Sequence, residues 1–354
     1  MLAGGLLVQR GGWWMRLTTF VPQAGWECRI GAMDRRLGSK QVLDLNAACT
    51  HYLGEVKGRY RPVELASAMM PSDMLGFLDG GPDTLGLAGE LVEHYSQSLT
   101  GGTAPDLKDR LGRPIRYDFG TIRLRAPIPR PRGMGIGYFN TRGIIEEASR
   151  AEKKTQPDEG IKMAVDYPKQ ATVSWANVSS VIGPDDPIVF PKIVGQLFNS
   201  IELGVVIGRH AYRVSKAEAE SYIVGYTVTT DITAFDLVQK ENFVYTVTRC
   251  KSMPTFWPTG PWIALKDEVG DPMRLGYEVR VNGGTVMRGS TSEYVFSPVD
   301  YVVDVSEYMA LEPGMVIGMG AFVETTNTFL QVGDVVENEI ERVGVLRNHV
   351  VAEQ

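Results

Sequence analysis

Glu202, Asp231 and Lys251 are the residues whose types and spacing point most directly to chemistry. Glu202 and Asp231 stand at the ends of two apolar runs, Leu203–Gly208 and Tyr222–Thr230, and Lys251 follows about one element later. Two carboxylates on strands beside an ammonium make an oxygen-rich site for a hard divalent cation and an anionic ligand. Cys250 adjoins Lys251. A neighbouring ammonium lowers a thiol pKa, but no histidine lies nearby in sequence to serve as its base. Asp236 offers a further ligand or, more simply, a structural hydrogen bond. With 42 acidic residues in the chain, some carboxylates border apolar strands by chance, so spacing alone does not make a site.

The elements that must position these groups read as two strands with a connection between them. Ser215-Lys216-Ala217-Glu218 has the form of a capping box and predicts a helix to about Tyr222. The wording around them resembles the fumarylacetoacetate hydrolase family, which carries E-x-E-L-x-x-V-I-G, then G-Y-x-x-x-x-D-x-[ST]-A-x-D, then R-G-K-S and P-x-G-P-W. The matching residues are Glu202-Leu203 with Val206-Ile207-Gly208, and Gly225-Tyr226 with Asp231, Thr233-Ala234 and Asp236. Arg249, Lys251-Ser252, Pro258 and Gly260-Pro261-Trp262 follow, and later Leu311-Glu312-Pro313-Gly314 and Val332-Gly333-Asp334 keep the family's order. The resemblance runs over roughly 125–349 and implies a mixed α/β, β-rich fold, a β-roll core after a small N-terminal α/β domain.

The resemblance also implies a site. Glu202 and Asp231 would hold Mg²⁺ or Mn²⁺, Lys251 would grip a carboxylate or enolate oxygen, and Glu146 would carry a proton. Tyr138, Arg142 and Cys250 would contact a small carboxylate substrate, a 2-oxo or enolic acid of the kind met in aromatic breakdown. Four positions depart from the pattern. Ser200 replaces the first metal glutamate, Gly143 replaces the lid histidine that acts as base, Ala176-Asn177 replaces a lysine-proline pair, and Gly320-Ala321-Phe322 replaces G-T-P. Losing a general base costs water attack about 10²–10⁴-fold. Decarboxylation and keto-enol isomerisation need an electron sink more than an activated water, so the sequence leans from C–C bond hydrolysis towards those reactions. The alternative is a metal-independent member with a repurposed pocket, either catalytic on another ligand or not catalytic.

Size and composition set the remaining bounds. At 354 residues the chain can bury a substantial core, and 44% hydrophobic and 22% charged residues are ordinary for a soluble protein. A net charge of −6 argues against nucleic acid as partner. No apolar run reaches the roughly 18–20 residues that cross a bilayer. Cys28, Cys49 and Cys250 match no disulfide or metal spacing, and with no signal segment they point to the cytoplasm. Residues 1–14 read as a disordered extension, 15–120 as an N-terminal domain with helices near 46–98, and 121–354 as the catalytic domain. Glu147 reads as a solvated helix residue, and 156–168 as a hinge. A homodimer is expected from the resemblance.

Overall fold

The computed structural model describes residues 15–23, 25–38, 40–97, 106–146, 170–240, 248–322 and 329–354. The extension at 1–14, Glu147 and the hinge at 156–168 lie outside these residues. The chain lays down β1 (Arg16–Pro22), β2 (Arg29–Met33) and β3 (Gln41–Asp44), then four helices, α1 (Leu45–His51), α2 (Pro62–Met69), α3 (Met74–Asp79) and α4 (Gly81–Gln97). Next come β4 (Arg116–Asp118), β5 (Ile122–Leu124), β6 (Met134–Tyr138), β7 (Thr172–Ala176), β8 (Val181–Ile182) and β9 (Pro187–Phe190). The long strands β10 (Leu197–Ile207), β11 (Ile223–Ala234) and β12 (Trp257–Leu265) follow. The chain ends with β13 (Gly276–Val281), β14 (Gly284–Ser290), β15 (Val316–Gly318), β16 (Phe329–Leu330), β17 (Val335–Ile340) and β18 (Gly344–Ala352).

Local chemistry explains most of these boundaries. Asp44 caps α1 by accepting from the Ala47 amide at 2.9 Å, and Asp73 caps α3 by accepting from Gly76 at 2.9 Å. Each such cap is worth about 1 kcal/mol. The Asn282-Gly283 pair closes the β13–β14 hairpin with both residues at positive φ, 52° and 78°, as a tight two-residue turn requires. Between β10 and β11 the expected helix is not formed. Ser215 Oγ donates to the Glu218 carboxylate at 2.6 Å instead of capping a backbone amide, and the segment resolves into a turn and a single 3₁₀ turn at Ala219–Tyr222. With Ser215 and Glu218 satisfying each other, no side chain caps a first turn of α-helix there.

One mixed sheet runs β4-β3-β2-β1-β12-β11-β10-β15-β6-β7, with β5, β8 and β16 attached to its sides. A second sheet runs β14-β13-β17-β18-β9. The fold is thus α/β, mixed and β-rich. β10 and β11 sit at the centre of the large sheet and are buried on both faces, which is why their sequences read as continuous apolar runs and not as alternation. Each Leu, Ile or Val buried there contributes about 1.5–3 kcal/mol relative to exposure. A reciprocal amide pair, Asn199 with Asn338 at 3.0 Å, ties β10 to β17, and Asn338 also donates to Thr230 at 3.2 Å. The division of the chain near residue 120 is spanned by the large sheet, since β1 pairs antiparallel with β12.

Candidate active site

Register brings the candidate residues together. β10 and β11 pair antiparallel with Ser200 opposite Asp231, Glu202 opposite Thr229 and Phe198 opposite Thr233. Side chains two apart on a strand share a face, so Phe198, Ser200, Glu202, Thr229, Asp231 and Thr233 all present to one side of the sheet. Lys251 reaches that side from the end of a helical turn, 248–251, ahead of β12. Its Nζ donates to Asp231 Oδ2 in a buried ion pair, and to Thr233 Oγ1 at 2.8 Å. Thr233 Oγ1 donates in turn to Asp231 Oδ1 at 3.2 Å. The Trp257 indole donates to the Lys251 carbonyl at 2.7 Å and fixes the turn from which the lysine projects.

Glu202 is enclosed on the far side of Asp231. It is 1% exposed, and its Oε2 finds no hydrogen-bond partner among the described residues. Burial, then the charge of Asp231, hold its pKa well above the ordinary carboxylate range, while Lys251 and a backbone bond from Gly320 pull the other way. Burial also raises the pKa of Asp231, against the opposing pull of Lys251. Two glycines make room for this carboxylate. A side chain at Gly318 would collide with Glu202 Oε2, and Gly320 adopts φ +96° to turn its backbone towards the site. Tyr294 locks that loop in place. Its hydroxyl donates to Gly320 O at 3.1 Å and accepts from the Leu203 amide at 3.2 Å.

Tyr138, at the end of β6, faces the same cluster. Its buried hydroxyl feels the charges of Asp231 and Glu202. Burial, with those charges, pushes its pKa up, so it stays a neutral hydrogen-bonding group. Cys250 is fully buried beside Lys251 and lies in the electrostatic neighbourhood of Tyr138. Arg142 and Glu146 are placed otherwise. Both are exposed, on a helix at 142–146 whose start is pinned by Thr141 Oγ1 donating to Ala321 O at 3.1 Å and by Asn140 donating to Met319 O at 2.8 Å. Gly143 on the same turn is exposed as well. Asp236 accepts from the Gln196 amide at 3.4 Å and joins the structural hydrogen bonds at the end of β11.

The residues present fit a hard divalent cation. The buried Glu202 has an unused oxygen, and it repels a second buried carboxylate at Asp231. A cation between them relieves that repulsion. Among the described residues no group of three or more Asp, Glu, His or Cys side chains could hold a metal, so the protein supplies two carboxylates, with the Ser200 hydroxyl opposite Asp231. Mg²⁺ is commonly held by one or two carboxylates, with water and substrate completing its octahedron.

A family model, the fumarylacetoacetate (FAA) hydrolase C-terminal domain, matches residues 139–351. The chain belongs to the fumarylacetoacetate hydrolase family. Among relatives within it, an uncharacterized protein of Methanocaldococcus jannaschii is 38% identical over 197 residues, 56% of this chain and 80% of its own length. Human mitochondrial oxaloacetate tautomerase FAHD2A is 33% identical over 214 residues, 56% of this chain and 68% of its own length. The 2-hydroxyhepta-2,4-diene-1,7-dioate isomerase of Mycobacterium marinum superposes with a TM-score of 0.63 at 22% identity, covering 96% of this chain and 99% of that one. Maleylpyruvate hydrolase from Sphingobium sp. SYK-6, in complex with manganese(II) and pyruvate, gives 0.63 at 21% identity, covering 96% and 100%. At these identities the solved structures establish the shared fold. Sequence reasoning missed Thr233 as the lysine's partner, Tyr294 and Gly318. Only Thr233 carried a signal, as a matched position of the family pattern.

Proposed function

We propose that this protein is a fumarylacetoacetate hydrolase family enzyme acting on a small 2-oxo acid by keto-enol isomerisation or decarboxylation, in preference to C–C bond hydrolysis. The observation that carries this reading is the buried Lys251–Asp231–Thr233 group beside a lid turn whose base position is Gly143. A relative named oxaloacetate tautomerase supports the isomerase side of it.

Lys251 is a compact cation held on a fixed turn, suited to bind a substrate carboxylate or a developing enolate oxygen as a point charge. Asp231 and Thr233 orient it. Glu202 and Asp231 would hold a divalent metal, Mg²⁺ or Mn²⁺, which when bound supplies Lewis-acid polarisation of the substrate's keto oxygen. Tyr138 would offer a neutral hydroxyl as a hydrogen-bond donor to the same space. With Gly143 at the base position, and Arg142 and Glu146 facing solvent, no described lid side chain is aimed to activate a hydrolytic water.

A metal-independent site is the second reading, favoured by one observation: Lys251 already neutralises one of the two carboxylates. The test is enol–keto conversion of oxaloacetate followed by ultraviolet absorbance, with and without added Mn²⁺, for the native protein and Lys251→Met. Metal-stimulated conversion that falls by about 10²-fold or more in Lys251→Met is expected. Conversion unaffected by Mn²⁺ or chelator selects the second reading. No conversion or decarboxylation of oxaloacetate or acylpyruvates, with no thermal shift on adding oxalate, removes both.

A further inference from the structure

Phe198, Phe235 and Phe329 form a closed triangle of rings, with centroids 5.7 Å apart for Phe198–Phe235, 5.5 Å for Phe198–Phe329 and 5.3 Å for Phe235–Phe329. These are favourable tilted and edge-to-face contacts. The triangle is built from three elements: Phe198 on β10, Phe235 immediately after β11, and Phe329 on β16, which pairs directly with Phe198. None of the three rings is fully buried, whereas the core around them is. Its position follows from register. Phe198 lies opposite Thr233, the residue that holds Lys251, and two residues along β10 from Ser200. Directly opposed side chains stand about 5 Å apart and same-face neighbours on one strand about 7 Å apart. The aromatic wall therefore adjoins the ammonium end of the charged row.

We propose that this wall is the tail-binding end of the site and that the substrate is a 2-oxo acid bearing an aromatic or bulky apolar substituent. The proposal rests on the reading of Lys251 as the anion anchor. An acid gripped there places its apolar part, two or three carbons further on, against the three rings. A small dianionic acid such as oxaloacetate presents a second carboxylate to the same wall, whose three rings carry no charge to pair with it, and so binds less well. Aromatic side chains presented to a ligand give area and edge-to-face contact without a charge requirement, which selects by shape and apolarity.

The experiment compares 4-phenyl-2,4-dioxobutanoate with oxaloacetate, measuring kcat/KM and ligand-induced thermal shift for the native protein, Phe329→Ala and the bulk-conserving Phe198→Leu. The expected result is a native preference for the aryl acid of about tenfold or more, the scale of one well-packed aromatic contact. Phe329→Ala should lose most of that preference, its kcat/KM falling about tenfold more on the aryl acid than on oxaloacetate, and Phe198→Leu should lose part of it. If Phe329→Ala does not fold, Phe198→Leu alone decides. Equal losses on both acids, or none on either, with native preference absent, overturn the proposal and leave the triangle as a fastening of β16 to β10. If neither acid binds or turns over with the native protein, the anchor reading fails and takes this proposal with it.

Discussion

Ser200 stands directly across the β10–β11 ladder from Asp231, and both side chains are buried. A hydroxyl thus occupies the position from which a third carboxylate would meet a cation shared by Glu202 and Asp231. Ser200→Glu should tighten Mn²⁺ binding by on the order of tenfold or more, because ligand charge sets the affinity of hard cations. It should also lower the melting temperature of the metal-free protein, since it buries a further charge. Titration calorimetry and a thermal scan with chelator read the two effects. Unchanged Mn²⁺ affinity would show that position 200 lies beyond coordination reach.

Lys251 and Asp231 are expected to behave as a buried pair in which removing one partner is worse than removing both. Lys251→Met leaves Asp231 charged and enclosed, at a cost of about 3–5 kcal/mol. Lys251→Met combined with Asp231→Leu should recover most of that loss while remaining inactive. Urea denaturation of both variants checks the order. A double variant no more stable than the single one would mean that Thr233 alone satisfies the carboxylate.

The pH dependence of stability carries a sign. The Glu202 pKa in the folded protein lies above its ordinary 4.5 because of burial and Asp231. Protonated Glu202 therefore gives stability that is complete below about pH 4.5 and is lost as pH rises through the elevated folded-state value. Glu202→Gln keeps the shape and removes the charge. In chelator its melting temperature should exceed that of the native protein, by a margin that widens as pH is raised from 5 to 8, and added Mn²⁺ should close the gap from the native side. A constant difference across that range would place the effect in packing instead.

Thiol chemistry separates the three cysteines. Cys28 is exposed, while Cys49 and Cys250 are buried, and burial pushes the Cys49 thiol up to about 12. A thiol–disulfide reagent at pH 8 should titrate one equivalent quickly in the native protein and the other two only on unfolding. Fast modification of Cys250, abolished by a bound oxo acid, would restore it as a residue that meets substrate.

Much of the site was legible because its two strands are strongly written. The apolar runs flanking Glu202 and Asp231 give central strands, and the ordered family pattern places Lys251 beside them. What the sequence did not show depends on contacts between distant segments. Nothing near Tyr294 signals that its hydroxyl will bridge Gly320 and Leu203, and Gly318 is indistinguishable from any strand-end glycine until Glu202 lies against it. Ser215 and Glu218 have the spacing of a capping box, yet the same two side chains satisfy each other here, an outcome the spacing does not distinguish. Arg142 and Glu146 come from alignment with a lid pattern, and both are exposed on the helix at 142–146.

The β1–β12 pairing has a practical consequence. A fragment beginning at residue 121 would retain Glu202, Asp231 and Lys251 but uncover the Ile263–Ala264 end of β12, where β1 pairs with it. Such an edge recruits strands from other molecules. The N-terminal strands thus act as a selvedge for the rest of the large sheet, and trimming them should lower the solubility of what remains.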